Sequence, residues 1–244
     1  MRDVAYVANW LSEVGALGGV ARFLDASLPQ PPDLTALSGH AFQLVVREGP
    51  EGLFPIAAPA GPSYARAVAQ YSVLGLRGRI YEVRPEDRAS RDEALRAVRR
   101  SIDRKRPVIA FGLHIPEFGI IRGYDDDRAQ LIVSTLTTEQ HGPALPLALW
   151  PAPNTKEAIP IVVVDRERRI RTEVAEQEAL AFAVREYEAK TGAGELAVGA
   201  AGYECWISAL GSERAALHGR GHAHAVQKLL AARREAAQFL AGLA

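Results

Sequence analysis

The sequence predicts an α+β fold with a helical layer at its C-terminal end, on three observations. Short apolar runs bounded by Gly, Pro and Asp follow one another at Pro107–Leu113, Phe118–Ile121, Leu131–Val133 and Ala158–Val164, the pattern of consecutive strands of one sheet. Near the N-terminus, Val14, Leu17, Val20, Ala21 and Leu24 form an apolar stripe at helical spacing, with Ser12 as the expected N-cap. From Thr172 onward the periodic segments read as helix, over Thr172–Lys190, Glu195–Leu210 and His222–Leu243, with Gly-bearing breaks between them.

The elements follow in order. Pro29-Gln30-Pro31-Pro32 ends the first helical region. Ala41–Arg47 alternates as a strand does, and Glu48-Gly49-Pro50-Glu51-Gly52 reads as a turn. Gly61-Pro62 opens a helix to about Leu74, with Tyr64, Val68 and Tyr71 on one side. Gly78–Val83 is a strand, and Asp87–Lys105 is an amphipathic helix that turns Leu95, Val98 and Ile102 to the core. Ala158–Val164 carries apolar residues on both faces, which predicts a central strand. Composition shifts at Asp165, so the expected division is an α/β domain over 1–165 and a three-helix layer over 166–244 packed on it. In that tail, Leu180, Val184 and Tyr187 are expected to cover the sheet or a second subunit, which leaves a homo-oligomer open.

Composition excludes several classes. A hydrophobic content of 48% with 24% charged residues is that of an ordinary globular chain, not a disordered one. Lys+Arg and Asp+Glu balance at 29 each, which argues against a nucleic-acid or anionic-membrane surface. With 1 cysteine there is no internal disulfide framework and no Cys-based zinc site. No run reaches the ~18 apolar residues of a membrane span, and the N-terminus lacks a basic region before its apolar stretch. The expected setting is cytoplasmic.

Four segments carry a resemblance. Ser12-Glu13-Val14-Gly15-Ala16-Leu17 looks like the nucleophile helix of the papain-like cysteine peptidases, which write Ser-Cys or Asp-Cys before a small-residue helix. Glu117, before an apolar run ending in Gly123-Tyr124-Asp125, stands where that superfamily carries its catalytic His. Ser38-Gly39-His40-Ala41-Phe42 and Arg106-Pro107-Val108-Ile109-Ala110-Phe111-Gly112 resemble the branch that includes the N-terminal domain of the butirosin-biosynthesis H protein. The resemblance covers roughly residues 5 to 165. It implies an N-terminal helix packed on an antiparallel or mixed sheet, and a cleft that takes an amine or an acylated carrier. Since Glu13 and Glu117 replace the thiol and the imidazole, it also implies that thiol peptidase and acyltransferase chemistry is lost. Within that frame Asn9 is the candidate oxyanion-hole amide and Ser134 falls near the third, ring-orienting position.

Two functional expectations follow. One is a catalytically altered protein that binds a small molecule or peptide in the former cleft, through Asn9, Ser12, His40, His114 and Ser134, with no cofactor required. The other is a hydrolase or metal-dependent enzyme built on Glu13 and Glu117. Two close carboxylates cannot both ionise cheaply, so they share a proton, bind a cation or spread into solvent. A cation would be held by Glu13, Glu117 and His114, a mixed set that suits zinc, manganese or iron. His218, His222 and His224 are expected in a solvated loop and helix start. Cys205, between bulky neighbours, is expected as a packing residue, as are Trp10, Trp150 and Trp206. Asp125-Asp126-Asp127 reads as a turn between strands.

Overall fold

The computed structural model describes all residues except 2, 50–51, 56–60, 85, 152–157, 169, 190–195, 212–218 and 244. Its architecture is mixed α+β, with two compact units. One comprises Met1–Pro31 with Gly75–Arg168, the other Pro32–Leu74 with Arg169–Ala244. The second unit therefore takes in Pro32–Leu74 as well as the C-terminal segment, whereas composition alone shifts only near residue 165.

The first unit is built on a sheet of order β3-β8-β4-β5-β6-β7, antiparallel throughout. Its strands are β3 (Leu76–Val83), β4 (Val108–Phe111), β5 (Phe118–Asp125), β6 (Gln130–Ser134), β7 (Ala144–Pro146) and β8 (Ile159–Arg166). β8 sits between β3 and β4, and its residues from Ile159 to Asp165 are all buried. Alternation explains the unbroken apolar run. Ile159, Ile161 and Val163 join Val108, Ala110, Ile121 and Val133 in a core with Ala94, Ala97 and Val98 of α4 (Arg88–Asp103). Val162 pairs with Ile109, which pairs with Ile120, on the opposite face. Each such aliphatic side chain removed from water contributes roughly 1.5–3 kcal/mol. Asp87 caps α4, its carboxylate accepting from the Ala89 amide at 2.9 Å.

The helix α1 (Ser12–Leu24) packs against β5 and β4. Its fit depends on missing side chains. A Cβ on Gly19 would lie 2.1 Å from the Ala5 carbonyl oxygen and 2.6 Å from Ile120 Cδ1, so the N-terminal segment and the sheet both come up against bare backbone there. At the open end of the sheet, Asp165 is buried opposite Arg77 and is met by Arg79 at 3.1 Å and by Arg106. Burial pushes its carboxyl up, but the hydrogen bonds and charges of Arg79 and Arg106 outweigh that and hold it below the ordinary aspartate range. The β5–β6 turn has Asp125 accepting from the Arg128 amide at 3.0 Å, the turn chemistry expected there.

In the second unit a sheet of order β2-β1-β9 joins β1 (Val45–Gly49), β2 (Gly52–Pro55) and β9 (Leu196–Val198). β1 starts later than expected and pairs as a hairpin with β2, through Gly49 opposite Gly52. Around them lie α2 (Asp33–Leu37), α3 (Gly61–Ala69) with a 3₁₀ turn over Gln70–Leu74, α6 (Thr172–Glu188), α7 (Gly199–Leu210) and α8 (Gly219–Gly242). A short α5 (Thr138–His141) belongs to the first unit. The segment expected as one helix from Glu195 instead forms β9 and then α7. Gly199 marks the break at φ +54, where a Cβ would lie 2.1 Å from the Glu186 carbonyl oxygen. The buried face of α6 is Ala175, Ala179, Phe182 and Glu186, the last paired with Arg66 at 2.5 Å, whereas Val184 and Tyr187 are exposed. The Val184 and Tyr187 side of α6 therefore does not cover the sheet, and a second subunit remains the other surface expected for it. Arg233 of α8 donates to the Ala41 carbonyl and lies 2.9 Å from the Tyr203 hydroxyl. Among the described residues no helix is long and apolar enough to cross a membrane.

The close approach over α1 makes Gly19→Ala a test of this packing. It lowers the unfolding free energy by about 1–3 kcal/mol in urea. Gly242→Ala, where a Cβ meets nothing within 4 Å, leaves stability unchanged or slightly raised.

Candidate functional site

In the strand order β4-β5-β6-β7, the β4–β5 loop and the β6–β7 connection emerge at one end of the sheet. The start of α1 meets the β4–β5 loop at this end. Ser12 is not the N-cap: Leu11 holds that position without a side-chain cap bond, and the Leu11 amide donates to Asn9 Oδ1 at 2.8 Å. The Ser12 hydroxyl is spent on tertiary contacts instead. It donates to Glu117 Oε2 at 2.5 Å and accepts from the Phe118 amide at 3.1 Å. Charge-assisted bonds of this kind are about twice as strong as neutral ones. One side chain thus joins the first turn of α1 to the first residue of β5.

Glu13 follows Ser12 in that turn and is buried, with 7% of its surface exposed. The unpaired amides of a helix N-terminus favour a carboxylate in this place. Glu117 is half-buried and sits at the mouth of β5. Its loop is drawn tight by bonds from the Gly112 amide to the Glu117 carbonyl at 3.0 Å and from the Glu117 amide to the Ile115 carbonyl at 2.7 Å.

Ser134, the last residue of β6, pairs with Ile120 and accepts from the Tyr6 amide at 2.9 Å. Tyr6 is the residue that sequence patterns miss. Its ring covers Gly15, where a Cβ would lie 2.4 Å from Tyr6 Cζ, and its hydroxyl is buried without a hydrogen-bond partner. Burial pushes the phenol well above its ordinary range, and the negative charge of Glu117 adds to the effect. Nothing in the local sequence marks Tyr6; only the small residue at Gly15 hints that a bulky group crosses the helix there. Ser12, Glu117, Tyr6 and Ser134 therefore form one linked set, with Glu13 beside it along the helix.

The other expected residues fall elsewhere. His40 belongs to the second unit, where its Nδ1 lies 2.9 Å from Ser38 Oγ. Asn9 turns its side-chain oxygen to the Leu11 amide and so shapes the approach to α1. His114 stacks edge-to-face on His141, with ring centroids 5.3 Å apart. Among the described residues, no three His, Cys, Asp or Glu side chains are grouped so as to hold a metal ion, so Glu13, Glu117 and His114 do not make such a set. His218 lies outside the described residues, and His222 and His224 fall in the first turns of α8. Trp150 is buried, its indole donating to the Phe111 carbonyl at 3.3 Å, and Trp206 packs with Leu44 and Val46, with Cys205 against them. Trp10, expected to pack, is instead 65% exposed. A groove of about 280 Å³ beside the start of α4, lined by Tyr81, Arg84, Asp87 and Glu93 among others, includes neither Glu13 nor Glu117.

No protein-family profile matches the chain, and no curated protein matches it.

The His114 environment gives a pH dependence. Burial lowers its proton affinity, the neighbouring His141 lowers it further, and the Gly142 backbone acts in the opposite sense. The folded value lies below the unfolded one, so the stabilisation is complete above about pH 6.5 and is lost as pH falls through the lower folded value. Urea unfolding between about pH 7 and about pH 5 is expected to show stability falling with acid, with a shallower slope in His114→Gln. An identical slope in the variant would contradict the assignment.

Proposed function

We propose that this chain is a papain-like α+β protein that has lost thiol chemistry and binds a small molecule or peptide at the start of α1. The observation that carries the reading is the 2.5 Å bond from Ser12 to Glu117, which joins the helix turn bearing Glu13 to the residue before β5. Those are the two places where the superfamily resemblance expects the nucleophile and its base. The packing of α1 on β4 and β5 supports the same layout.

Chemistry narrows the ligand. A carboxylate at position 13 is a weak nucleophile, and acyl transfer to it would give a labile anhydride, so a covalent intermediate of the thiol type is not formed here. The Ser12 hydroxyl is already engaged as donor and acceptor. Glu117, half-exposed at the end of the sheet, offers an acceptor and negative charge to a ligand. An ammonium group of an amine or a peptide N-terminus matches that pattern. A second reading is favoured by the burial of Glu13: a carboxylate shielded from water is a candidate for general acid/base work.

Calorimetric titration with lysine amide and with its doubly acetylated, uncharged counterpart separates these. The ammonium-bearing probe is expected to bind, the uncharged one to bind at least ~10-fold more weakly, and Glu117→Gln to remove the difference. Equal binding of both probes would overturn the amine reading. Ester or amide hydrolysis that disappears in both Glu13→Gln and Glu117→Gln would favour the enzyme instead.

A further inference from the structure

The first unit holds a histidine pair that the reading above does not use. His114 lies in the β4–β5 loop and His141 at the end of α5, which precedes β7, so strand order brings two residues distant in sequence to the same end of the sheet. Their rings meet at 5.3 Å between centroids and at 88°. His114 Nε2 is buried and has no hydrogen-bond partner. A buried polar atom without a partner carries a cost of roughly 1–3 kcal/mol, which this fold tolerates at a residue already held at φ +64, in the left-handed region. The surroundings favour the neutral ring, and a neutral imidazole presents one N–H and one lone pair. His141 is exposed and ends a helix of 4 residues, so its ring can turn beside its neighbour without disturbing the core.

We propose that His114 and His141 form a two-histidine site for a divalent first-row transition cation such as Zn²⁺, Ni²⁺ or Cu²⁺. Imidazole is the protein ligand these borderline ions prefer, and water completes the coordination. With two protein ligands, affinity is modest and the cation stays open to exchange. His114 stands three residues before Glu117 in the chain, yet the proposal does not depend on amine binding, because neither glutamate is a ligand in it.

Equilibrium dialysis of the full chain against Zn²⁺ tests this, in a His222→Ala/His224→Ala background that removes the other histidine group. About one equivalent is expected to bind, with affinity falling at least ~10-fold in His114→Ala and equally in His141→Ala. His141→Ala alters an exposed side chain, and circular dichroism checks that it stays folded. No stoichiometric Zn²⁺ in the background protein, or binding that survives either histidine change, would overturn the pair as the site.

Discussion

The hydroxyl of Ser12 stands between two elements that are far apart in the chain, and most of the candidate site follows from that. It donates to the Glu117 carboxylate and accepts from the Phe118 amide, so one oxygen fixes both the start of α1 and the start of β5. A buried hydroxyl satisfied in both roles is stable, whereas either partner left alone would carry its full desolvation cost. This joint explains why Leu11, and not Ser12, occupies the capping position: the sequence offers one serine there, and tertiary contact takes it.

The joint works because the helix can come close. Gly15 and Gly19 leave room for the Tyr6 ring and for Ile120, and Ser134 anchors the Tyr6 amide from the next strand, β6. Burial therefore sets the Glu117 carboxylate against the Ser12 hydroxyl, and its charge acts on the buried Tyr6 phenol. The same end of the sheet presents His114 and His141, so its chemistry comes from loops carried on rigid strands, while the buried rows of β8 and β4 supply the rigidity.

Much of this was legible in sequence, and the limits are physical. Strand alternation and bounding turns located β3 to β6 and the doubly buried β8, because period and burial leave a direct signature. The placement of Glu117 at the entrance to β5 and of Glu13 in the first turn of α1 was readable for the same reason. Pairing partners were not. β9 is 3 residues long, too short for a pattern, and its end is set by Gly199 against the α6 backbone. The inner face of α6 was hidden because small alanines and an ion-paired Glu186 fill it, while Val184 and Tyr187 mimic a core stripe. Tyr6 and His141 carry no local motif, and only the fold brings them beside Glu117 and His114.

The most direct test of this account is a double-mutant cycle on Ser12→Ala and Glu117→Gln, read as unfolding free energies in urea. If the Ser12 hydroxyl joins α1 to β5 through Glu117, the two changes couple by about 1 kcal/mol or more. Effects that add to within ~0.3 kcal/mol would show that the two side chains act independently, and the joint on which the site rests would fail.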